Sequence, residues 1–130
     1  MTTLPTAEVA RFCWMDLAAS DASAASSFYS ALFGWRAGEH AANGGRLMRF
    51  SAGEDPVASL YQLSRRHLSD GVPSHWTPYV AVADAAASAS RAEALGARVI
   101  VKAFELPGMA RVCLLEDPVG AVVGLWQKVE

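Results

Sequence analysis

"FCWMDLAASD", Phe12–Asp21, and "HWTPYVAVAD", His75–Asp84, are the two stretches whose reading decides the fold. Each is a short run rich in apolar residues, with a Trp near its start and an Asp at its end. Such runs have the length and the aromatic or β-branched content of buried strands. After Asp21 the chain continues "ASAASSFYSALFG", and after Asp84 "AAASASRAEALG". Both begin on a residue suited to capping a helix, because an Asp carboxylate accepts from the free N–H groups of the first turn. Both are rich in Ala, and both end at a glycine, Gly34 or Gly96, where a left-handed cap is wanted. Ala25, Phe28, Tyr29, Leu32 and Phe33 recur at helical spacing and predict one buried face. Ala85, Ala89, Ala92 and Leu95 do the same more thinly. The spacing predicts two helices of about three turns each.

The likeness extends beyond these stretches. The first helix is followed by strand-like "WRAGEH", "GRLMRFSAG" and "PVASLYQLS", the second by "ARVIVKAFEL", "ARVCLLED" and "AVVGLWQKV". Each half reads β-α-β-β-β. Asp21 and Asp84 lie 63 residues apart (84 − 21), and "EDPV" occurs at Glu54–Val57 and again at Glu116–Val119, 62 apart (116 − 54). Internal duplication accounts for all of this, with module one at about 10–63 and module two at about 75–128. The polar segment between them, Ser64–His75, reads as a linker. About 60 residues make a thin core, so residues 1–130 are expected to form a single domain whose halves share a core or exchange sheets with a partner.

Composition narrows the function classes. The 130 residues are 52% hydrophobic and 18% charged, with a formal charge of −2, which is globular rather than disordered. Arg65-Arg66-His67 is too short for a nucleic-acid footprint. No apolar run approaches the ~18 residues of a membrane span, and "MTTLPTAEVARF" lacks the apolar core of a leader. Cys13 and Cys113 lie in apolar runs and read as buried thiols. A soluble, cytoplasmic protein is expected, with no nucleic-acid or membrane partner.

These residues resemble the vicinal oxygen chelate superfamily, which includes glyoxalase I, bleomycin- and fosfomycin-resistance proteins and extradiol dioxygenases. "DASAASSFYSALFGW" is similar to its Asp…Phe-Tyr…Leu-Gly signature, and "LLEDPVGAVVGLWQ" to its Asp-Pro-x-Gly segment before the last strand. "HWTPYVAVADAAASASRAEALGARV" looks like the start of a second module. The likeness covers Ala10 to Gln127. It implies an α+β fold in which two βαβββ modules form a cup-shaped mixed sheet with the helices outside, and it implies a homodimer. It does not single out a reaction, because the superfamily hosts many.

The resemblance also implies where a metal would sit: a His on the first strand of each module and a carboxylate on the last. Counting back seven from each capping Asp reaches Trp14 and Thr77. The Glu position on the last strand falls at Gly124, and its first-module counterpart at Tyr61 or Gln62. None offers the imidazole or carboxylate that Zn, Ni or Fe takes. No metal at the family position and no cofactor are expected. The one alternative is His75, which shares a strand face with Thr77 and would need Asp16 as co-ligand.

Strand alternation then gives the residues lining the cup. The expected ligand pocket is Trp14, Asp16, Tyr61, Thr77, Tyr79, Arg111, Gly124 and Trp126. Ser59 and Arg49 are further inward candidates. The aromatic rings serve either as core filling or as a platform for a planar ligand, and Gly124 is expected to leave room in mid-strand. A carboxylate inside an apolar strand is costly unless paired. Asp16 is therefore either neutralised by Arg111 or Arg49, or faces a ligand as the candidate catalytic base. The leading reading is metal-free binding of an aromatic or antibiotic-like small molecule. The next is a cofactor-independent isomerase, cyclase or hydrolase with Asp16 as base. A metal-dependent lyase or dioxygenase built on His75 comes third.

Overall fold

The structure, a computed structural model, describes residues 9–42 and 45–129. The start of the chain, read above as leader-free, and residues Asn43 and Gly44 lie outside them. The elements run β1 (Phe12–Ala19), α1 (Ala22–Phe33), β2 (Arg36–Ala42), β3 (Gly45–Ala52), β4 (Asp55–Gln62), α2 (Arg65–Ser69), β5 (His75–Ala81), α3 (Ala85–Ala94), β6 (Arg98–Leu106), β7 (Ala110–Glu116) and β8 (Val122–Lys128). The order β-α-β-β-β therefore occurs twice. The polar linker is not all loop, since Ser64 caps the single turn of α2 through a bond from the His67 N–H.

Contacts divide the chain into two compact units. One is Met15–Thr77; the other joins the described residues up to Trp14 with those from Pro78 onward. In the first unit the strand order is β2-β3-β4-β1, with β1 parallel to β4 and the remaining pairs antiparallel. One face packs against α1: Leu17, Ala19, Phe50, Ala58 and Leu60 are buried there, with Ala22, Ala25, Tyr29, Trp35 and Trp76 around them. In the second unit the order is β5-β8-β7-β6, again with one parallel pair, β5 and β8. Its core is Cys113, Leu115 and Leu125 under Ala89 of α3. Mixed sheets with helices on one face make the fold α+β.

The helix starts follow from the duplicated Asp. Asp21 Oδ1 accepts from the Ala24 N–H and Asp84 Oδ1 from the Ala87 N–H, both at 3.0 Å. A second pair of caps accompanies them. Gln62 Oε1 accepts from the Ala22 N–H and Gln127 Oε1 from the Ala85 N–H, both at 2.8 Å. At the end of α1 Gly34 takes φ 74°, a left-handed conformation that L side chains adopt at a cost.

Two sequence expectations are corrected. The buried stripe of α1 is narrower than predicted: Tyr29 packs on the sheet, but Phe28, Leu32 and Phe33 are each more than half exposed. Ala22, Ala25 and Tyr29 follow the i, i+3, i+7 line that a helix lays on a sheet, and Phe28 sits about 100° off it. Cys13 is exposed rather than buried, while Cys113 is buried as expected. The first residues of β1 are exposed and only its second half, from Asp16 to Ala19, is covered.

Candidate functional site

The face of the first unit that turns away from α1 carries the polar cluster. β1 and β4 run parallel with Asp16 opposite Ser59 and Ala18 opposite Tyr61. Residues opposite one another share a face, so Asp16, Ser59 and Tyr61 point the same way. Asp16 is only 9% exposed. Ser59 Oγ, itself buried, donates to Asp16 Oδ1 over 2.6 Å, a short bond of the kind a carboxylate accepts. Among the described residues no arginine pairs with Asp16. The expected neutralisation by Arg111 or Arg49 is replaced by a neutral hydroxyl.

A hydroxyl relieves only part of the cost of burying a carboxylate. Burial pushes the Asp16 carboxyl up from 3.8 to about 6, against the lowering effect of the Ser59 hydrogen bond and of the His75 charge. Tyr61 is half-buried, and burial, then the nearby Asp16 charge, raises its phenol above the ordinary value. It is therefore held as a hydroxyl donor. His75 is exposed, and its Nδ1 lies 2.8 Å from the Pro73 carbonyl. A carbonyl oxygen only accepts, so Nδ1 carries the proton in that bond. Thr77 is buried at 5% exposure.

The remaining candidates lie in the second unit. Trp14 and Trp126 stack with ring centroids 5.1 Å apart, and Tyr79 meets Trp126 edge-on at 5.8 Å. These rings engage one another. Tyr79 is opposite Gly124 across β5 and β8, and its ring lies directly against the space a Gly124 side chain would fill. Gly124 therefore makes room for Tyr79 and does not open a void. Arg111 departs from the expected pocket: it is exposed and opposite Gln127, sharing the α3-facing side of the sheet with Cys113 and Leu125. Gly124 and Trp126 lie on the other side.

The register also corrects the alignment of the two modules. Asp16 pairs with Ser59 in one parallel pair and Tyr79 with Gly124 in the other. Tyr79 follows Asp16 by the 63 residues of the repeat, so Gly124 corresponds to Ser59 rather than to Tyr61 or Gln62. Neither interval reaches Ser59: the 63 residues between the capping Asp residues give Tyr61, and the 62 of the EDPV echo give Gln62. Asp55–Val57 lie in β4 itself, whereas Asp117–Val119 form the turn before β8, where Asp117 Oδ1 accepts from Val119 and Ala121. The better signal was "LYQ" at Leu60–Gln62 against "LWQ" at Leu125–Gln127.

The positions that the resemblance assigns to metal ligands are then Ser59 and Thr77 in the first unit and Trp14 and Gly124 in the second. None of the four offers the imidazole or carboxylate that a transition metal takes. Among the described residues no three His, Cys, Asp or Glu side chains gather to hold a metal ion.

This architecture is that of the vicinal oxygen chelate superfamily, and the chain belongs to its glyoxalase-like domain family, which matches residues 14–125. It is 34% identical to the putative glyoxylase CFP32 of Mycobacterium tuberculosis, over 88% of this chain and 44% of that protein. It is 33% identical to the anthracycline biosynthesis protein DnrV of Streptomyces peucetius, over 88% of this chain and 46% of that one. The chain thus spans under half the length of these relatives. A solved structure, methylmalonyl-CoA epimerase from Mycobacterium tuberculosis, superposes with a TM-score of 0.70 at 18% identity, covering 98% of this chain and 94% of its own. At that identity the likeness concerns the fold.

Proposed function

We propose that this chain acts on a small molecule by proton transfer, with Asp16 as the acid–base group and no transition metal at its centre. The observation that carries the reading is the buried Asp16 carboxyl, held to about 6 by burial while Ser59 donates to it over 2.6 Å. A group with that value is present in both protonation states near neutral pH, as acid–base catalysis requires. The ionised carboxylate removes a proton from a carbon beside a ligand carbonyl. The electron pair moves onto the carbonyl oxygen, and Tyr61, kept as a hydroxyl, donates a hydrogen bond to that oxyanion. Asp16, now protonated, delivers the proton to a different atom of the conjugated enolate, its γ-carbon, while the oxyanion's electron pair re-forms the carbonyl. The net reaction is a double-bond isomerisation. Two relatives named for anthracycline biosynthesis support an aromatic or polyketide-like substrate. The reading includes a homodimer in the cytoplasm; no helix among the described residues is long and apolar enough to cross a membrane.

The test is solvent-deuterium incorporation by NMR into a panel of aromatic ketones and 1,3-dicarbonyl compounds in D2O. The wild-type protein exchanges at least one of them, and Asp16→Asn slows that exchange by about 10²–10⁴-fold while still binding the compound. Exchange at the wild-type rate in Asp16→Asn would contradict the proposal, as would no exchange with any compound.

The second reading is binding without turnover, in the manner of a sequestering resistance protein. The Trp14–Trp126 stack favours it, since a third ring can extend such a stack. It ranks second because these rings are already in contact with one another and with Tyr79.

A further inference from the structure

The sheet face that carries Asp16 continues onto β3 and β2. Gly38 is opposite Arg49, Arg49 opposite Ser59, and Ser59 opposite Asp16. These four positions form one row across four strands, all on the side away from α1. At the far end of the row is a groove of ≈ 310 Å³ lined by Arg36, Ala37, Gly38, Glu39, Arg49 and Ser51. Its lining holds two guanidinium groups, one carboxylate and one hydroxyl, so positive charge is in excess. Nothing lies within 4 Å of where a Gly38 side chain would begin, which leaves the floor beside Arg49 open. Arg36 is steadied by a bond from Nη2 to the Gly53 carbonyl at 3.2 Å, and a guanidinium has five N–H donors to offer. Arg49 is half-buried, where its charge is less screened than on an open surface.

We propose that this groove binds the anionic group, carboxylate or phosphate, of the small molecule on which Asp16 acts. The inference rests on the proton-transfer reading and names its substrate class: a small organic acid. Adjacent strands are ~4.8 Å apart, so Arg49 stands about 10 Å from Asp16 along the row. The anionic group of the substrate is thus separated from its reacting C–H by a comparable distance. Paired guanidinium groups suit planar carboxylates and phosphates because two parallel N–H bonds can form to each.

The test titrates inorganic phosphate and malonate separately into chloride-free solutions of the protein, following backbone amide shifts by NMR. The expected result is a saturable shift at Gly38, Arg49 and Ser51, with a dissociation constant on the order of 1–10 mM for so small a probe. Whichever of the two anions saturates assigns the carboxylate or the phosphate class. Arg49→Gln and Arg36→Gln each weaken binding at least tenfold, whereas Arg98→Gln, on a surface arginine beside Glu116, leaves it unchanged. Asp16→Asn also leaves anion binding intact, which separates failure of the groove from failure of the proton-transfer reading. No saturable binding of either anion, or equal binding in both arginine variants, would overturn the inference.

Discussion

Ser59 donates its hydroxyl to the Asp16 carboxylate over 2.6 Å, from adjacent parallel strands and with both residues buried. A neutral donor favours the ionised form without neutralising it. Asp16 is therefore left titrating near neutral pH in the folded chain.

This sets the sign of a pH effect on stability. The folded value, about 6, exceeds the unfolded one, 3.8, so the folded chain binds more protons between them. The resulting stability is fully present below about pH 4 and is lost as pH rises through about 6; the shift corresponds to about 3 kcal/mol. Asp16→Asn has no such titration. Urea unfolding will show the variant and wild type close in stability at about pH 4 and the variant more stable by up to about 3 kcal/mol at about pH 7.5.

Ser59→Ala removes the bond that lowers the Asp16 value, so that value rises further. The acid limb of any pH–rate profile moves to higher pH. The fold loses roughly 1–3 kcal/mol because a buried acceptor is left without its donor. Kinetics across pH, paired with unfolding curves, separate the two effects.

Gly124 and Tyr79 form a mutually dependent pair, since a Cβ at 124 would overlap the Tyr79 ring. Gly124→Ala costs about 1–3 kcal/mol through overpacking. In a Tyr79→Ala background the same change costs little, and a double-mutant cycle by denaturant unfolding measures the difference.

The glutamine caps predict losses of unequal size, because Gln62 Nε2 also donates to the Ser20 and Leu63 carbonyls. Gln62→Leu and Gln127→Leu each strip an acceptor from the first N–H of a helix. Gln127→Leu lowers stability by about 0.5–1.5 kcal/mol, comparable to about 1 kcal/mol for Asp21→Ala or Asp84→Ala. Gln62→Leu lowers it by more, since three bonds are lost. Thermal unfolding of the four variants checks this.

What was legible in the sequence was what repeats locally. The Asp caps, the Ala-rich helices and the period-two strands each depend on near neighbours, and each element stands where those signals put it. What escaped depends on register between distant strands. The Asp-cap interval pointed to Tyr61 and the EDPV interval to Gln62, the latter because it matched a strand to a turn. The pairings of Asp16 with Ser59 and Tyr79 with Gly124 assign Ser59 instead, in agreement with LYQ against LWQ. Arg111 failed for the same reason, since one residue of parity sends a side chain to the other face. The roles of Gly124 and the Trp14–Trp126 pair were hidden because ring-on-ring packing is a property of side-chain volume in three dimensions.

Carboxyl carbon NMR tests most directly whether Asp16 is a proton-transfer group poised near neutrality. In protein labelled with ¹³C at aspartate side chains, with Asp16→Asn to assign the signal, the Asp16 resonance will titrate with a midpoint near 6. A midpoint at or below about 4, the range of an ordinary aspartate, would contradict the account.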